Sequence, residues 1–366
     1  MIATDSKAPF SQLSVKPGGG LEGTLLFLTA LGMTMVLFGL CVLALGHSPV
    51  AIYQTLYLGG FGTWFSIQDT LIQAAPIMLT GLCTALPARA GILVIGNEGA
   101  LIIGGIAAVL AGVVMEGLSP WFGVPLVGIA AATAGGLWIG AAGALRHYRG
   151  VNEVISTLLM NYIAIAILLH LVSGPIRDYS RSLRQSSWSV PGEFMLGSIP
   201  GTMVHWGLAI GLVVCLIAFI LTRYSTFGFA TDIMGGNVRA AKAVGLPVGR
   251  LTLTACFLGG GAAGLAGGIE IIAVHGYASD SLIVGYGYAG ILVAFAARFN
   301  PLAVVLIAVL IGGVSAAGGL VERRFGLPDA MTLVFQGILF LSVLGSNTLV
   351  GQLGPWLNKK VFGHAD

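Results

Sequence analysis

Residues 91–114 read GILVIGNEGALIIGGIAAVLAGVV, and this stretch decides what kind of protein the chain forms. It is long enough to cross a bilayer as a helix, which takes about 20 apolar residues. Glu98 lies within it, between Gly96 and Gly99. A charge near a helix centre costs roughly 2.5–3.5 kcal/mol on insertion scales for Asp, Lys or Arg. Glycines can also interrupt the helix, and freed backbone groups are tolerated only where protein or a water-filled cavity satisfies them. This segment is therefore the first candidate for a functional site.

The composition of the whole chain predicts the same class of protein. Of the 366 residues, 56% are hydrophobic and 8% are charged. Soluble domains average about 25% charged residues, so this is an integral membrane protein. The 56 glycines fit helices that pack closely through small residues. All four cysteines lie in apolar runs without a CxxC pair, so we expect no metal site and no disulfide at Cys41, Cys83, Cys215 or Cys256.

Ten apolar runs predict ten transmembrane segments. They lie at 24–46, 68–88, 91–114, 123–145, 154–173, 203–222, 251–274, 284–297, 301–320 and 329–349. The eighth run is short and begins with GYGYAG, so we expect a broken span or half-helix there, as at the third. The fold class is thus an all-α polytopic membrane protein. The two broken spans lie five apart, and an odd offset gives them opposite orientations, so a 5+5 inverted repeat is our hypothesis.

The positions of the basic residues predict the orientation in the membrane. With both termini inside, the cytoplasmic segments carry 12 of the 17 Lys and Arg residues. This orientation gives a cytoplasmic N-terminal segment at 1–23, a transmembrane domain at 24–349 and a cytoplasmic tail at 350–366. An external loop at 174–202 and a cytoplasmic loop at 223–250 are the two long connections.

The sequence offers little for catalysis and much more for buried polar contacts. It has no Gly-Lys pair, hence no GxxxxGK[ST] phosphate loop, and no HExxH, paired CxxC or Ser/His/Asp grouping. The buried polar candidates are Asn97, Glu98, Asn161 and Glu270. For Glu98, the alternative to a pathway role is structural, with the carboxylate capping backbone amides at a broken helix. For Glu270, both interpretations stay open.

The cytoplasmic loop contains signals for a short helix. We predict that Asn237 caps a helix over Val238–Val244 and that Gly245 occupies its C′ position. The helix would present small alanines and two cations, Arg239 and Lys242, to the cytoplasm. By composition alone it is equally compatible with an ordinary connecting helix.

This loop resembles the cytoplasmic coupling segment of ATP-binding-cassette (ABC) importer permeases of the ribose and branched-chain amino-acid class. That class carries Gly-x-Asn-x-x-Ala-Ala-x-x-x-Gly there, and residues 235–245 read GGNVRAAKAVG. Residues 149–163, RGVNEVISTLLMNYI, look like a signature of the nucleoside-importing branch, which works with basic-membrane-protein-type binding lipoproteins. GYGYAGI at 285–291 with Asn300-Pro301, and ARAG at 88–91 leading into Glu98, match as well.

The resemblance implies a permease subunit that pairs with a second, similar permease. An external substrate-binding lipoprotein would deliver a nucleoside, a sugar or a related heterocycle, and cytoplasmic ATP-binding subunits would hold ATP and Mg. This chain would bind no cofactor, metal or nucleic acid and would lie in the bacterial cytoplasmic (inner) membrane. The implied coupling residues are Gly236, Asn237, Arg239, Ala240, Ala241, Lys242 and Gly245. The implied substrate pathway involves Asn97, Glu98, Asn161, Glu270, Tyr286 and Tyr288.

The chain departs from the family pattern at two places, one beside Glu98 and one in the coupling loop. The family usually reads Asn-Ile-Gly-x-Glu-Gly-Gln around the glutamate, whereas Val94 and Ala100 stand at the flanking positions here. In the coupling loop, TDI at 231–233 replaces the usual Leu-Arg-Ala. The main alternative is a secondary transporter that uses Glu98 and Glu270 as proton or sodium carriers and has no need for the helix at 235–246. A membrane scaffold or enzyme subunit is a third class.

Overall fold

The computed structural model describes residues 20–179 and 185–361, with side chains described for 27–179 and 185–346. Residues 1–19 and 362–366, parts of the two predicted cytoplasmic ends, lie outside the described residues. Within the described ranges the chain is helical almost throughout. The helices are α1 Gly20–Ala44, α2 Pro49–Phe61, α3 Trp64–Arg89, α4 Asn97–Val114, α5 Pro120–Arg149, α6 Glu153–Ser173, α7 Gly207–Tyr224, α8 Thr226–Gly236, α9 Val238–Ala243, α10 Val248–Ile269, α11 Tyr286–Ala296, α12 Pro301–Ala316, α13 Gly318–Phe325 and α14 Ala330–Val361.

The predicted membrane spans all have helical counterparts. In the described ranges, eight helical segments are long and apolar enough to cross a membrane. Two shorter apolar segments, Asp280–Ala296 and Ala330–Ser346, correspond to the eighth and tenth predicted spans. The all-α polytopic fold with about ten crossings is therefore confirmed.

Helix α3 defines two faces of the molecule, because its 26 residues extend over about 39 Å. At its C-terminal end, Arg89 forms an ion pair with Asp232 of α8. Near its N-terminal end, the Gln68 side chain accepts a hydrogen bond from the backbone N–H of Met203, which precedes α7. Helices α8 and α9 thus lie on one face, and the connection before α7 lies on the opposite face.

Helix α2 was not predicted, and it packs on the face opposite α9. Its 13 residues cover about 20 Å, which is too short for a hydrocarbon core of about 30 Å. Thr70 of α3 donates a 2.7 Å hydrogen bond to the Gly60 carbonyl, and Gly59 lies against Ala317 at the end of α12. Helix α2 therefore caps the bundle on that face without crossing it.

The centre of the bundle is built where α4, α5 and α10 touch through glycines. A Cβ added to Gly264 of α10 would lie 2.9 Å from the Cα of Gly135 in α5. A Cβ added to Gly104 of α4 would overlap the backbone of the same Gly264. Such contacts let the helix backbones approach closely. Close van der Waals packing stabilises helix association in a membrane, where the hydrophobic effect does not favour it.

We expect Gly264→Ala to lower the free energy of unfolding by about 1–3 kcal/mol, the usual cost of overpacking a filled interface. The matched control is Gly140→Ala in α5, where an added Cβ meets nothing within 4 Å. That substitution should leave stability unchanged or raise it slightly, because alanine favours a helix over glycine. Melting temperatures of the purified variants in lipid nanodiscs measure both effects. Equal melting temperatures would contradict the close packing.

Both predicted breaks are present in the structure. Helix α4 begins at Asn97 after the non-helical residues 91–96, so the break lies before Glu98, and Gly99 is inside the helix. Helix α11 has only 11 residues and follows an irregular stretch at 276–285. The breaks follow α3 and α10 respectively, and the inverted repeat that relates these positions stays a prediction.

Candidate functional site

The backbone of the first break is satisfied by side chains from α3 and α6. Thr84 Oγ1 donates to the Val94 carbonyl at 2.9 Å, and Asn161 Nδ2 donates to the Ile95 carbonyl at 2.9 Å. Thr157 Oγ1 accepts from the Ile95 N–H at 3.2 Å. All three polar side chains are buried. These backbone groups, which the break leaves without helical partners, are therefore hydrogen-bonded within the protein, as a membrane requires.

Asn97 and Asn161 hold the N-terminus of α4 from two sides. Asn97 Nδ2 donates to the Thr80 carbonyl and to Thr84 Oγ1, both at 2.9 Å. Asn161 Oδ1 accepts from the Gly99 N–H at 2.8 Å. Both asparagines are fully buried. They position α4 from inside the protein.

Glu98 caps the other interrupted helix, α11. Its Oε1 accepts from the Gly285 N–H at 2.9 Å, and its Oε2 accepts from the Gly287 N–H at 2.6 Å. The residue is 1% exposed. The unpaired N–H groups of a helix start carry partial positive charge, which favours a carboxylate there. Capping of amides at a broken helix, one of the two interpretations of Glu98, is what the structure shows.

The glycines of the GYGYAG motif allow this contact. A Cβ at Gly287 would lie 2.5 Å from the Cα of Glu98 and 2.6 Å from its Oε2. Helix α3 joins at the same place, because Thr80 Oγ1 donates to the Tyr286 carbonyl at 2.9 Å. Helices α3, α4, α6 and α11 therefore meet at one buried cluster, called here the Glu98 junction: Thr80, Asn97, Glu98, Asn161, Gly285 and Gly287.

The remaining predicted pathway residues surround this junction. Tyr288 is 44% exposed, whereas Tyr286 is partly buried and its backbone carbonyl accepts from Thr80 of the junction. Glu270 is buried and opens a π-helical turn that ends at His275, whose Nε2 lies 3.7 Å from the Glu270 carboxylate. Turns of this type are frequent at functional sites. Contact of these residues with substrate stays a prediction, and Tyr288 is the one that reaches the surface.

The predicted external loop covers the π-helical turn. In its described part, Leu196 N–H donates to the Ile272 carbonyl at 2.6 Å and Val190 N–H donates to the Gly276 carbonyl at 2.8 Å. These bonds tie the connection between α6 and α7 to the stretch between α10 and α11. The Glu270 side of the junction is thus closed by this loop.

The predicted cytoplasmic loop forms α8 and α9, and the predicted cap is confirmed. Asn237 Oδ1 accepts from the N–H groups of Arg239 and Ala240 at 2.9 and 3.2 Å. Helix α9 ends at Ala243, one residue earlier than predicted. Gly245 has φ +79°, a left-handed value that suits the C′ position of a helix.

The two central alanines of α9 have different surroundings. Ala240 is exposed together with Arg239 and Lys242, but Ala241 is 0% exposed and packs in the chain's own core. The expectation that α9 presents both alanines is therefore corrected, because one turn of an amphipathic helix must face the bundle. Every other residue of α9 is exposed, including Arg239, Ala240 and Lys242.

A continuous set of contacts connects α8 with the Glu98 junction. Arg89 Nε and Nη2 donate to the two carboxylate oxygens of Asp232 at 2.9 and 2.6 Å. A Cβ at Gly91 would lie 3.3 Å from the Cα of Gly235. Gly91 begins the non-helical stretch that ends at Gly96, directly before α4. Helix α8 is therefore joined directly to the backbone that leads into Glu98.

Sequence reasoning missed several residues of this arrangement. Thr80 and Thr84 were not selected, although a spacing of four places both on one face of α3. The partnership of Arg89 with Asp232 spans 143 residues and has no local signal. Among the described residues, no group of three or more His, Cys, Asp or Glu side chains could hold a metal ion.

Two interrupted helices that meet at a buried carboxylate are typical of multi-pass transport proteins. The family described as "Branched-chain amino acid transport system / permease component" matches residues 66–344. The chain belongs to this family of ABC transporter permeases. The resemblance found in the coupling loop is confirmed. Membership of this family favours ATP-driven transport over the ion-coupled alternative.

Individual relatives match along most of the chain. The guanosine ABC transporter permease protein NupP of Bacillus subtilis is 31% identical over 343 residues, or 93% of this chain and 98% of the relative. The glucose ABC transporter permease protein TsgB13 of Haloferax volcanii is 29% identical over 318 residues, covering 84% and 83%. A second guanosine permease of Bacillus subtilis, NupQ, is 24% identical over 299 residues, covering 76% and 90%.

Proposed function

We propose that this chain is one permease subunit of an ATP-driven importer for nucleosides or related neutral heterocycles and sugars. The near full-length similarity to NupP, which is named for guanosine, supports the nucleoside class. The similarity to TsgB13, which is named for glucose, keeps sugars in consideration. The observation that carries the proposal is α9, a short capped helix whose small Ala240 and two cations are exposed beside the bundle.

In this mechanism, α9 docks in a groove of an ATP-binding subunit. Closure of the nucleotide-bound ATPase subunits moves α8, and the contacts of Arg89 and Gly91 pass that movement to the backbone before Glu98. The Glu98 junction then shifts α11 relative to α3 and α6. Asn97, Glu98 and Asn161 shape the pathway from within, and Tyr288 borders it at the surface.

The partners follow from the same proposal. A second permease subunit completes the pore, which fits the presence of two guanosine permeases, NupP and NupQ, in Bacillus subtilis. ATP and Mg are bound by cytoplasmic ATP-binding subunits, and an external lipoprotein delivers the solute. The complex lies in the cytoplasmic membrane with both termini of this chain inside the cell.

Reconstitution tests the proposal. The chain, its partner permease, the ATP-binding subunits and the binding lipoprotein are assembled in proteoliposomes, and uptake of radiolabelled guanosine and glucose is followed with and without ATP. We expect uptake of at least one neutral solute that requires both ATP and the ATP-binding subunits. Uptake that persists without those subunits would contradict an ABC mechanism.

The ion pair of Arg89 and Asp232 gives a separate prediction about coupling. An exposed ion pair contributes about 0–1 kcal/mol to stability, so Asp232→Ala should leave the melting temperature nearly unchanged. It should nevertheless lower the number of solutes taken up per ATP hydrolysed severalfold, because α8 is then less firmly joined to α3. The exchanged pair, Arg89→Asp with Asp232→Arg, should recover most of that ratio. An unchanged ratio in Asp232→Ala would exclude this contact from the coupling route.

A further inference from the structure

Helix α5 carries exposed aromatic side chains at both ends. Trp121 and Phe122 are exposed in its first turn, and Tyr148 is exposed in its last turn. The rise from residue 121 to residue 148 is about 40 Å, which matches the thickness of a bilayer with its headgroup regions. Exposed aromatic residues at this separation are typical of a helix that faces lipid, with one ring at each interface. Tyr148 therefore marks the headgroup level at the end of α5.

The end of α5 packs against the start of α10, the helix that follows α9. A Cβ added to Gly249 would lie 2.5 Å from Nε2 of His147, so the imidazole rests on the first turn of α10. Arg250 is the next residue of α10. It is exposed, and the last residues of α5 are exposed as well. This surface is called here the α5–α10 patch: His147, Tyr148, Arg149 and Arg250.

Carboxylates of this chain do not balance the positive charge of the patch. The acidic residue closest to it along the chain, Glu153, forms an ion pair with Arg146. Asp232 of α8 is paired in the same way with an arginine at the end of α3. In the part of the chain that the structure describes, Arg149 and Arg250 form no ion pair. The patch therefore presents two uncompensated positive charges at the headgroup level.

Exposed apolar side chains continue from the patch along both helices. Phe257 and Leu258 follow Arg250 at spacings of seven and eight residues, which places all three on one face of α10. Both are exposed. A Cβ at Gly136 of α5 would lie 2.9 Å from the ring of Phe257, and the next residue of α5, Leu137, is exposed. The exposed faces of the two helices therefore meet and form an apolar surface that leads from the patch along the membrane.

This combination of a basic patch and an apolar surface matches an anionic phospholipid. The planar guanidinium of arginine binds phosphate oxygens through paired N–H donors, and tyrosine and histidine add further hydrogen-bonding groups. Basic pockets between membrane helices bind anionic headgroups at the cytoplasmic surface. A soluble anion would match only the patch, whereas a phospholipid matches the patch with its headgroup and the apolar surface with its acyl chains.

We propose that the α5–α10 patch binds the headgroup of an anionic phospholipid in the cytoplasmic leaflet. Arg149 and Arg250 bind its phosphate, and Leu137, Phe257 and Leu258 contact its acyl chains. The site shares no residue with the Glu98 junction or with the exposed face of α9. It goes beyond the proposed function, because the ligand is a lipid of the surrounding membrane and neither the solute nor an ATP-binding subunit.

Native mass spectrometry of the full-length chain in detergent tests the site. The protein is titrated with phosphatidylglycerol or with phosphatidylcholine of the same acyl chains, and the bound lipid is counted. Half-binding of phosphatidylglycerol should need a concentration at least about fivefold lower than that of phosphatidylcholine. Arg149→Gln with Arg250→Gln should raise the phosphatidylglycerol concentration for half-binding about five- to thirtyfold, at roughly fivefold per charge. Both side chains are exposed, so the melting temperature should stay unchanged.

The matched control removes the same charge from α9. Arg239→Gln with Lys242→Gln should leave the binding of phosphatidylglycerol unchanged, and inorganic phosphate at the lipid concentration should not compete with it. Equal binding of the two lipids, an unchanged titration in Arg149→Gln with Arg250→Gln, or an equal loss in the control would overturn the lipid site. Competition by phosphate would overturn it in favour of a soluble anion. Loss of co-purifying ATP-binding subunits from Arg149→Gln with Arg250→Gln, at unchanged lipid binding, would overturn it in favour of a protein contact.

Discussion

Glu98→Ala should lower the free energy of unfolding by about 2–6 kcal/mol and abolish solute uptake. The reason is the capping geometry, in which the Glu98 carboxylate accepts from the N–H groups of Gly285 and Gly287. Removing the carboxylate leaves the buried Gly287 N–H and the partly buried Gly285 N–H without an acceptor, and each unsatisfied group costs up to about 1–3 kcal/mol. The melting temperature in nanodiscs and uptake in proteoliposomes measure the two effects. Glu193→Ala, which removes an exposed carboxylate in the connection between α6 and α7, is the control and should change neither.

Glu98→Gln separates capping from other roles. Glutamine keeps the shape and one acceptor oxygen but turns an N–H₂ group towards one of the two donors. We therefore expect a melting temperature between those of the wild type and Glu98→Ala. If Glu98 acted only on solutes or ions, both variants would stop uptake at an unchanged melting temperature, and the capping role would have to be abandoned.

Ala240→Trp should lower ATP-coupled uptake at least about tenfold and leave the fold intact. Ala240 is exposed on α9, so an indole there can point away from the core, and it would block close docking against an ATP-binding subunit. A tenfold loss corresponds to about 1.4 kcal/mol of docking free energy. Co-purification of the ATP-binding subunits and their ATPase rate show whether docking is lost. The conservative variant Ala240→Ser should transport normally.

The neighbouring position provides the contrast. Ala241 is 0% exposed, so Ala241→Trp should lower the melting temperature by forcing a large side chain into the core around Met234 and Leu251. Loss of uptake in that variant would therefore say nothing about docking. Normal coupled uptake in Ala240→Trp would exclude the exposed face of α9 from the ATPase contact.

Local patterns were sufficient to predict the membrane spans and both breaks. Each apolar run of about 20 residues forms a helix, because a helix satisfies the backbone N–H and C=O groups within the segment and unpaired groups in lipid are costly. The cap at Asn237 and the left-handed Gly245 were also predictable, since capping depends on residues within one turn. The apolar run around Glu98 also allowed the interpretation that its carboxylate caps backbone amides, and those contacts are present.

Long-range partners were not predictable from the same patterns. Nothing around Glu98 indicates that its donors belong to α11, and nothing around Arg89 indicates Asp232. Helix α2 was missed because its 13 residues are too short to register as a span.

The distance along the chain between Glu98 and its donors has a consequence for biosynthesis. The two donors lie 187 and 189 residues after Glu98. At about 5–20 residues per second, the ribosome needs roughly 10–40 s to reach them after making Glu98. During that interval α4 resides in the membrane with a carboxylate that has no cap. Synthesis and packing of α11 end this state. A chain that stops before residue 285 therefore keeps an uncapped carboxylate in α4.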